Sequence, residues 1–400
     1  MKNNILKIIL IFSLCQTALF SDDWDFLSVN GYGTVGVAFQ DNKEVLFRNS
    51  FFTDEGSKGK ASFANYSLLG LQLDAQVTEK LSFTLQAIAS KNNANGKDLD
   101  LEWANAKYQV TDAFDIKVGL MRLPIFMHSD ILNVGYSYDM LRLPDMYALI
   151  SINKYQGAEI AHRLEFDDFS LSSTFLAGQT DSHFQSVNNT GQAIESKIHA
   201  ENIYGLALKV LYKDLTLRSA YMVTTLDINN PQMNALLGQF NAMNIPLISN
   251  TIKKYKNENQ KVSYFSMGAK YDFEDAYLLG EYIVADSDSF MVDLNSWYVG
   301  GGYNFDNWTP YVVYSETKTS SNYTPLSTIG MPVQVTAAIM GANQAFTQMA
   351  NGGVEMNAKT TSLGFRYDLT DSAVIKFQFD EQRRVNETLH VFSSGINFVF

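Results

Sequence analysis

From Leu27 onward, apolar side chains fall on every second residue. Leu27, Val29, Val35, Val37 and Phe39 share one parity, while Ser28, Asn30, Tyr32 and Thr34 take the other. An apolar residue at every second position is the mark of a β-strand with one apolar face. The pattern recurs at Leu69, Leu71, Leu73 and Ala75, at Leu81, Phe83, Leu85 and Ala87, and at Phe114, Ile116, Val118 and Leu120. Later it returns at Tyr204, Leu206, Leu208, Val210 and Tyr212, at Leu363, Phe365 and Tyr367, and at Ile375, Phe377 and Phe379. Together these runs predict sixteen strands, over 27–40, 66–76, 81–90, 99–110, 114–122, 156–165, 169–178, 202–213, 215–228, 261–273, 276–286, 294–305, 308–318, 359–369, 372–383 and 391–400. Most match the roughly 9–11 residues a tilted strand needs to cross a bilayer, and an even number is what a closed bacterial barrel requires.

The connections alternate as strictly as the side chains. Short polar turns follow the even strands: Thr78-Glu79-Lys80, Thr111-Asp112-Ala113, Asp167-Asp168, Lys213-Asp214, Glu274-Asp275, Asp306-Asn307 and Thr370-Asp371. Longer loops follow the odd ones, at 41–65, 91–98, 123–155, 179–201, 229–260, 287–293, 319–358 and 384–390. Short periplasmic turns and long outer loops characterise outer-membrane barrels, and a soluble β-sandwich has no reason to alternate this way. The last strand puts Phe392, Ile396, Phe398 and Phe400 on one parity. Its closure against the first strand would remove an edge that otherwise invites aggregation. The expected fold is therefore an all-β, sixteen-stranded antiparallel transmembrane barrel with the third loop folded inward.

Composition narrows this further. The formal charge of −12 argues against nucleic-acid binding, which needs a basic footprint. Mean hydropathy is −0.11, and no apolar run after the N-terminus reaches the ~20 residues of a transmembrane helix. At the N-terminus, Lys2 and Lys7 precede an apolar core from Ile8 to Leu14, and small or polar residues follow near Ser21. Residues 1–21 thus read as a secretory signal peptide and 22–400 as the barrel. The only cysteine, Cys15, lies in that leader after Leu14, which is not the small residue a lipoprotein site needs. The mature chain then has neither a disulfide framework nor thiol chemistry. Losing Lys2 and Lys7 takes the charge from −12 to −14.

The segment from Arg122 to Tyr155 interrupts the alternation. It is rich in Tyr, Met and Asp and carries Pro124 and Pro144 near its ends. Loops beyond ~15 residues in a compact fold are functional or disordered, and Ile125, Phe126, Tyr136, Tyr138, Met146 and Tyr147 argue against disorder. We expect it to fold into the barrel and set what passes. If the apolar parity faces lipid, the other faces the lumen. That turns inward Lys107, Lys117, Arg163, Lys209, Arg218, Lys270, Arg366 and Lys376, eight basic residues, against Asp74, Asp115, Glu159, Glu281, Asp368 and Asp380, six acidic ones. Two readings stand side by side: these line water, or they pair across strands, as Asp115 and Lys117 could with Lys107. The loop itself sets Asp130, Asp139 and Asp145 against Arg122, Arg142 and Lys154. Acidic loop groups facing a basic wall across a narrow aqueous gap would create a transverse field that orients solutes and biases ions.

Two other loops carry Met, Leu, Ala and Phe at partly helical spacing, Gln232 to Ile252 and Met331 to Met356, and 319–358 holds almost no charge beyond Glu355. Packing over the pore mouth or against other loops is the expectation, with a greasy solute path the alternative. Tyr212, Phe265, Tyr271, Trp297, Trp308, Tyr314, Phe398 and Phe400 cluster near strand ends and read as interfacial girdles, or as ordinary strand formers. No GxSxG, HExxH or Cys-His metal spacing occurs, and His128, His162, His183, His199 and His390 stand singly. An outer-membrane phospholipase would need a His and a Ser together on an outward face. The nearest approach is His162 with Ser173, and a lone outward His is usually incidental. No enzyme, cofactor or metal is expected.

Sixteen strands, a long third loop and a terminal Phe together resemble the Gram-negative general porins. Within the third loop, Met121-Arg122-Leu123-Pro124, Ser129-Asp130, Val134-Gly135-Tyr136-Ser137-Tyr138 and Leu141-Arg142-Leu143-Pro144 are similar to the family's motif. Leu143 departs from it, standing where a second proline is expected. The resemblance implies a homotrimer of water-filled barrels in the outer membrane, each narrowed by its third loop, and it makes the terminal Phe an assembly signal. It implies lipid and lipopolysaccharide as surroundings and small hydrophilic solutes and ions as cargo. The constriction would be built from Arg122, Asp130, Tyr136, Tyr138, Asp139, Arg142 and Asp145. The facing wall would be Lys107, Lys117, Glu159, Arg163, Lys209, Arg218, Glu281, Arg366 and Lys376. A substrate-selective channel and a barrel-anchored adhesin are the other readings. The slight basic excess of the wall leans towards anions.

Overall fold

A computed structural model of the chain describes residues 26–50, 55–91, 98–150, 152–187, 193–255, 258–287, 292–351 and 357–400. The expected leader with Cys15 lies outside the described residues. The strands are β1 (Leu27–Gln40), β2 (Leu68–Gln76), β3 (Leu81–Ser90), β4 (Leu99–Gln109), β5 (Phe114–Arg122), β6 (Lys154–Phe166), β7 (Phe169–Val187) and β8 (Ala193–Tyr212). They continue as β9 (Leu215–Asn229), β10 (Gln260–Asp272), β11 (Ala276–Ser287), β12 (Val292–Tyr303), β13 (Trp308–Ser321), β14 (Ala358–Thr370), β15 (Ala373–Arg384) and β16 (Thr388–Val399). Each pairs antiparallel with its sequence neighbours, and β1 pairs with β16 from Tyr32↔Val399 to Gln40↔Val391, which closes the barrel. Phe400 completes the seam by exchanging two backbone hydrogen bonds with Gly31, at 2.8 and 2.9 Å.

The turns explain themselves locally. Thr78 and Thr111 accept from the backbone N–H three residues on, Leu81 (3.0 Å) and Phe114 (3.1 Å), so each turn closes on its own hydroxyl. Lys213 (φ 51°) and Asp306 (φ 49°) adopt the left-handed conformation that matches a two-residue hairpin to strand twist.

The alternation sorts two solvents. Val35, Phe83, Ile116, Val118, Ile160, Phe175, Leu278, Val299, Val312, Leu363 and Ile396 are exposed on the outer wall, a continuous apolar band far larger than a soluble monomer presents. Gln86, Glu281, Ser296, Thr360, Lys376, Gln378 and Gln382 on the opposite parity are buried inside. The girdle residues all lie on the outward parity, and Trp308 meets Tyr367 (4.5 Å) and Phe365 (5.2 Å) near the short-turn rim. Among the described residues no helix is long and apolar enough to cross a membrane, so the strands alone do the crossing.

One expectation changes and another is met. The segment 179–201 is not a loop: β7 and β8 continue as a hairpin above the membrane, to Val187 and from Ala193. It carries polar pairs, His199 with Asp181 (2.8 Å) and His183 with Glu195 (3.3 Å), so no apolar alternation announces the strands. Loop 229–260 holds helices α1 (Pro231–Asn241) and α2 (Pro246–Tyr255), and loop 319–358 holds α3 (Val333–Asn351). Asn230 caps α1 by accepting from Met233 N–H (3.0 Å), and Pro231 fits the first helical turn. The three helices bury Leu237, Ile248, Tyr255, Ile339, Ala342 and Phe346 against one another. The helices thus pack against one another, as expected, while Val333 and Met340 of α3 stay 82% and 62% exposed.

Candidate functional site inside the barrel

The segment from Leu123 to Asn153 enters the barrel and lies against the inner wall. Its neck closes where Leu123 N–H donates to Asn153 O (2.8 Å). Three short 3-10 turns follow, Ser129–Ile131, Gly135–Ser137 and Asp145–Ala148. The principal apolar core sits between this loop and the wall, not between two sheets. Leu123, Ile125, Phe126, Met140, Met146 and Leu149 pack there with Leu176, Ile203, Met222, Tyr264, Ile283 and Tyr298.

Polar anchors fix the loop to two groups of strands, β10–β11 and β14–β15. On the first, Tyr264 Oη donates to Ile125 O (3.0 Å), and Glu281 accepts from Met127 N–H (2.9 Å) and Tyr147 Oη (2.7 Å). On the second, Gln378 Oε1 accepts from the N–H groups of Leu141 and Arg142, both at 2.9 Å. The ammonium of Lys376 is buried and donates to the carbonyls of Gly135, Tyr138 and Met140, satisfying all three of its protons. At the tip, Arg366 Nη1 donates to Tyr136 O (2.8 Å), and Tyr136 Oη reaches the periplasmic turn at Asp371 O (2.7 Å).

The predicted charges meet partners in a different arrangement from the one expected. Asp130 and Asp139 do not face their cations across an aqueous gap. Asp130 pairs directly with Arg218 (2.8 Å) and Asp139 with Arg366 (3.6 Å). The cations beside Asp130, Arg218 first, hold its carboxyl below the usual range despite the opposing effect of burial. Asp145 and Arg142 are only 3% exposed and bond each other, so neither faces the lumen. Asp145 also accepts from Thr360 Oγ1 (2.6 Å) and Gln382 Nε2 (2.8 Å), and the Arg142 guanidinium lies 5.2 Å over Phe47. Arg122 is likewise buried, paired with Glu102, and Lys154 joins that cluster through Asp100 at 2.6 Å. Arg142, Asp145 and Arg122 anchor and do not line.

The wall answers the choice between lining and pairing residue by residue. Asp115 takes both Lys107 (3.5 Å) and Arg163, and Lys117 pairs with Glu159 (3.3 Å), which also accepts from Tyr155 Oη (2.8 Å). Lys209 stands directly opposite Arg218 in the β8–β9 register and, among the described residues, has no ion pair. Two chambers border Tyr138. The inner one, about 420 Å³, is lined by His128, Asp130, Asp139, Lys209, Arg218 and Lys270; the outer one, about 340 Å³, by Asp100, Asn133, Asn153, Lys154 and Asp181. In the inner one, burial and then Lys270 and Arg218 push the His128 imidazole down from 6.5 to about 4.

Parity reading overlooked Gln378 and Gln382, though both share the inward side with Lys376 and could have been found there. Glu102 had no such signal. A bulge opposite Gln86 and Ala87 shifts β4 by one residue and turns Glu102 into the barrel. Among the described residues, no group of three or more His, Cys, Asp or Glu is placed to hold a metal ion.

Closure, an apolar outer band and a loop lodged within define an outer-membrane β-barrel with the fold of the general porins. No family model and no curated protein matches the chain. Among solved structures, it is similar to the outer membrane channel DcaP of Acinetobacter baumannii, with TM-score 0.56 and 10% identity over 94% of this chain and 97% of that one. It is also similar to a loop L8 deletion mutant of OmpT, an outer membrane protein of Vibrio cholerae, with TM-score 0.53 and 12% identity over 94% and 100%. Salmonella typhi OmpF in complex with daunomycin gives TM-score 0.53 and 12% identity over 95% and 99%. At these identities the likeness is one of fold.

Proposed function

We propose that the protein is a passive channel of the outer membrane, not an enzyme, which admits ions and small hydrophilic solutes and filters them at the third loop. The observation that carries this reading is the loop itself, held across the lumen from Glu281 on β11 to Glu102 on β4, which accepts from Asn133 Nδ2 (3.2 Å) seven strands away. A segment anchored at several points of the wall narrows the aqueous path, and chambers of about 340 and 420 Å³ both border Tyr138. Charge then acts locally. Around the inner chamber Lys209, Arg218 and Lys270 stand against Asp130 and Asp139, three cations to two anions, and Lys209 alone of the three has no ion pair among the described residues. Low-dielectric walls focus that field, so anions pass with modest preference.

Assembly as a homotrimer in lipid and lipopolysaccharide belongs to the same proposal. Planar-bilayer recording tests it: ohmic steps in multiples of three support a trimeric diffusion channel, and a purified, heat-stable barrel that never conducts sinks it. Saturable block by one solute at micromolar concentration would favour the substrate-selective reading instead.

A further inference from the structure

The outer chamber, about 340 Å³, is bordered by three segments far apart in the chain: the first outer loop, the third loop and the β7–β8 hairpin. The first loop turns inward onto the third. Its Phe47 is fully buried beside the Arg142 guanidinium (5.2 Å) and exchanges two backbone hydrogen bonds with Ser57, both 2.8 Å. Gln40, also fully buried, ties the base of that loop by donating to Val45 O (2.7 Å) and Ser57 O (3.2 Å). The walls are thereby held in place before any solute arrives.

What lines this chamber differs from the inner one. Five asparagines border it, Asn49 and Asn65 from the first loop, Asn133 and Asn153 from the third, and Asn397 from β16. Its charged groups are answered in pairs. Lys154 is held by Asp100 (2.6 Å) and Glu102 (3.5 Å), Glu102 also by Arg122, Asp181 by His199 (2.8 Å) and His183 by Glu195 (3.3 Å). The amides are not answered in the same way. The side chains of Asn49 and Asn153 make no hydrogen bond among the described residues. The buried Asn397 donates to Thr34 Oγ1 (2.6 Å) and leaves its Oδ1 without a partner. Leu132, Leu143 and Ile150 add an apolar patch.

An amide side chain donates and accepts without charge, as a sugar hydroxyl does. An ion entering here would give up hydration for groups already paired. The volume lies at the small end of the ~300–1,000 Å³ of ligand pockets, which suits a single ring. We infer that the outer chamber recognises a neutral, ring-shaped polyol of monosaccharide size. Asn49 and Asn153 exchange hydrogen bonds with its hydroxyls, Asn397 Oδ1 accepts from another, and its C–H face lies on Leu132 and Leu143. The place of this site on a solute path rests on the channel reading, whereas the binding itself does not.

The test uses the purified full-length protein in a detergent without a sugar head group, titrated with glucose and followed by saturation-transfer NMR. Saturable binding is expected, weakened roughly ten-fold or more in Asn49→Leu/Asn153→Leu. Loss in the isosteric Asn49→Asp/Asn153→Asp variant as well supports amide donors over a change of volume. Heat-resistant mobility like that of the wild type excludes a folding defect in either. Glucuronate and glucosamine, the same ring with one charge of either sign, should bind more weakly than glucose. Equal or tighter binding of either one overturns the neutral class, and equal glucose binding by the Leu variant overturns the site. A barrel that conducts ions but shows no saturable glucose binding sinks this inference alone. One that binds glucose and never conducts sinks the channel and leaves the site standing.

Discussion

Gly135 marks a close approach of the loop to the wall. A Cβ there would lie 2.3 Å from Asn397 Nδ2 and 3.1 Å from Thr34 Oγ1, and that amide is held by its own 2.6 Å bond to Thr34. Gly135→Ala is therefore expected to overpack the contact by about 1–3 kcal/mol and lift the loop tip. Faster hydrogen exchange confined to 130–142, with the barrel's own melting unchanged, would be the readout. His128 adds a pH dependence with a definite sign. Its folded pKa of about 4 lies below the ordinary 6.5, so the unseated loop takes up a proton that the seated one refuses. Stability of the seated loop is then full above pH 6.5 and falls as pH drops towards 4, by up to about 3 kcal/mol. His128→Gln should flatten the acid rise in loop exchange; a dependence that persists in the variant would assign it to other groups. The types and parity of such residues were legible in the sequence, but their partners were not: Arg366 and Tyr136 are 230 residues apart.

Among elements, the third loop was recognisable by length and aromatic content, and its entry into the barrel was expected. How it stays there was not. Lys376 read as pore wall and is instead a buried strut for three carbonyls. Lys376→Met removes those donors, each orphaned carbonyl costing about 1–3 kcal/mol. Larger and noisier single-channel steps are the expected outcome, and conductance identical to wild type would mean the other anchors suffice. The Met- and Ala-rich loops were read as packing segments, but that α1 and α2 would meet α3 depends on two loops separated in the chain by the four strands β10 to β13. The β7–β8 hairpin escaped notice because, above the membrane, neither face of a strand needs to be greasy.

For the whole molecule, the unpaired Lys209 opposite Arg218 is the sharpest handle on selectivity. Lys209→Glu should relieve that like-charge pair and move the zero-current potential across a salt gradient towards cation preference. No shift would place the selectivity elsewhere on the wall. Strand number, the inside and outside of the regular strands, and the short turns after the even strands were determined by the sequence alone. Period-two patterning is local, and a chain between lipid and water must write both solvents into every strand. Only the closed barrel decided which charges neutralise which. Closure brings the third loop against β10, β11, β14 and β15, segments more than a hundred residues away. A single bulge opposite Gln86 reverses the side that Glu102 faces. Patterning records the solvent each residue meets; partners are set by curvature and register, which are properties of the closed sheet as a whole.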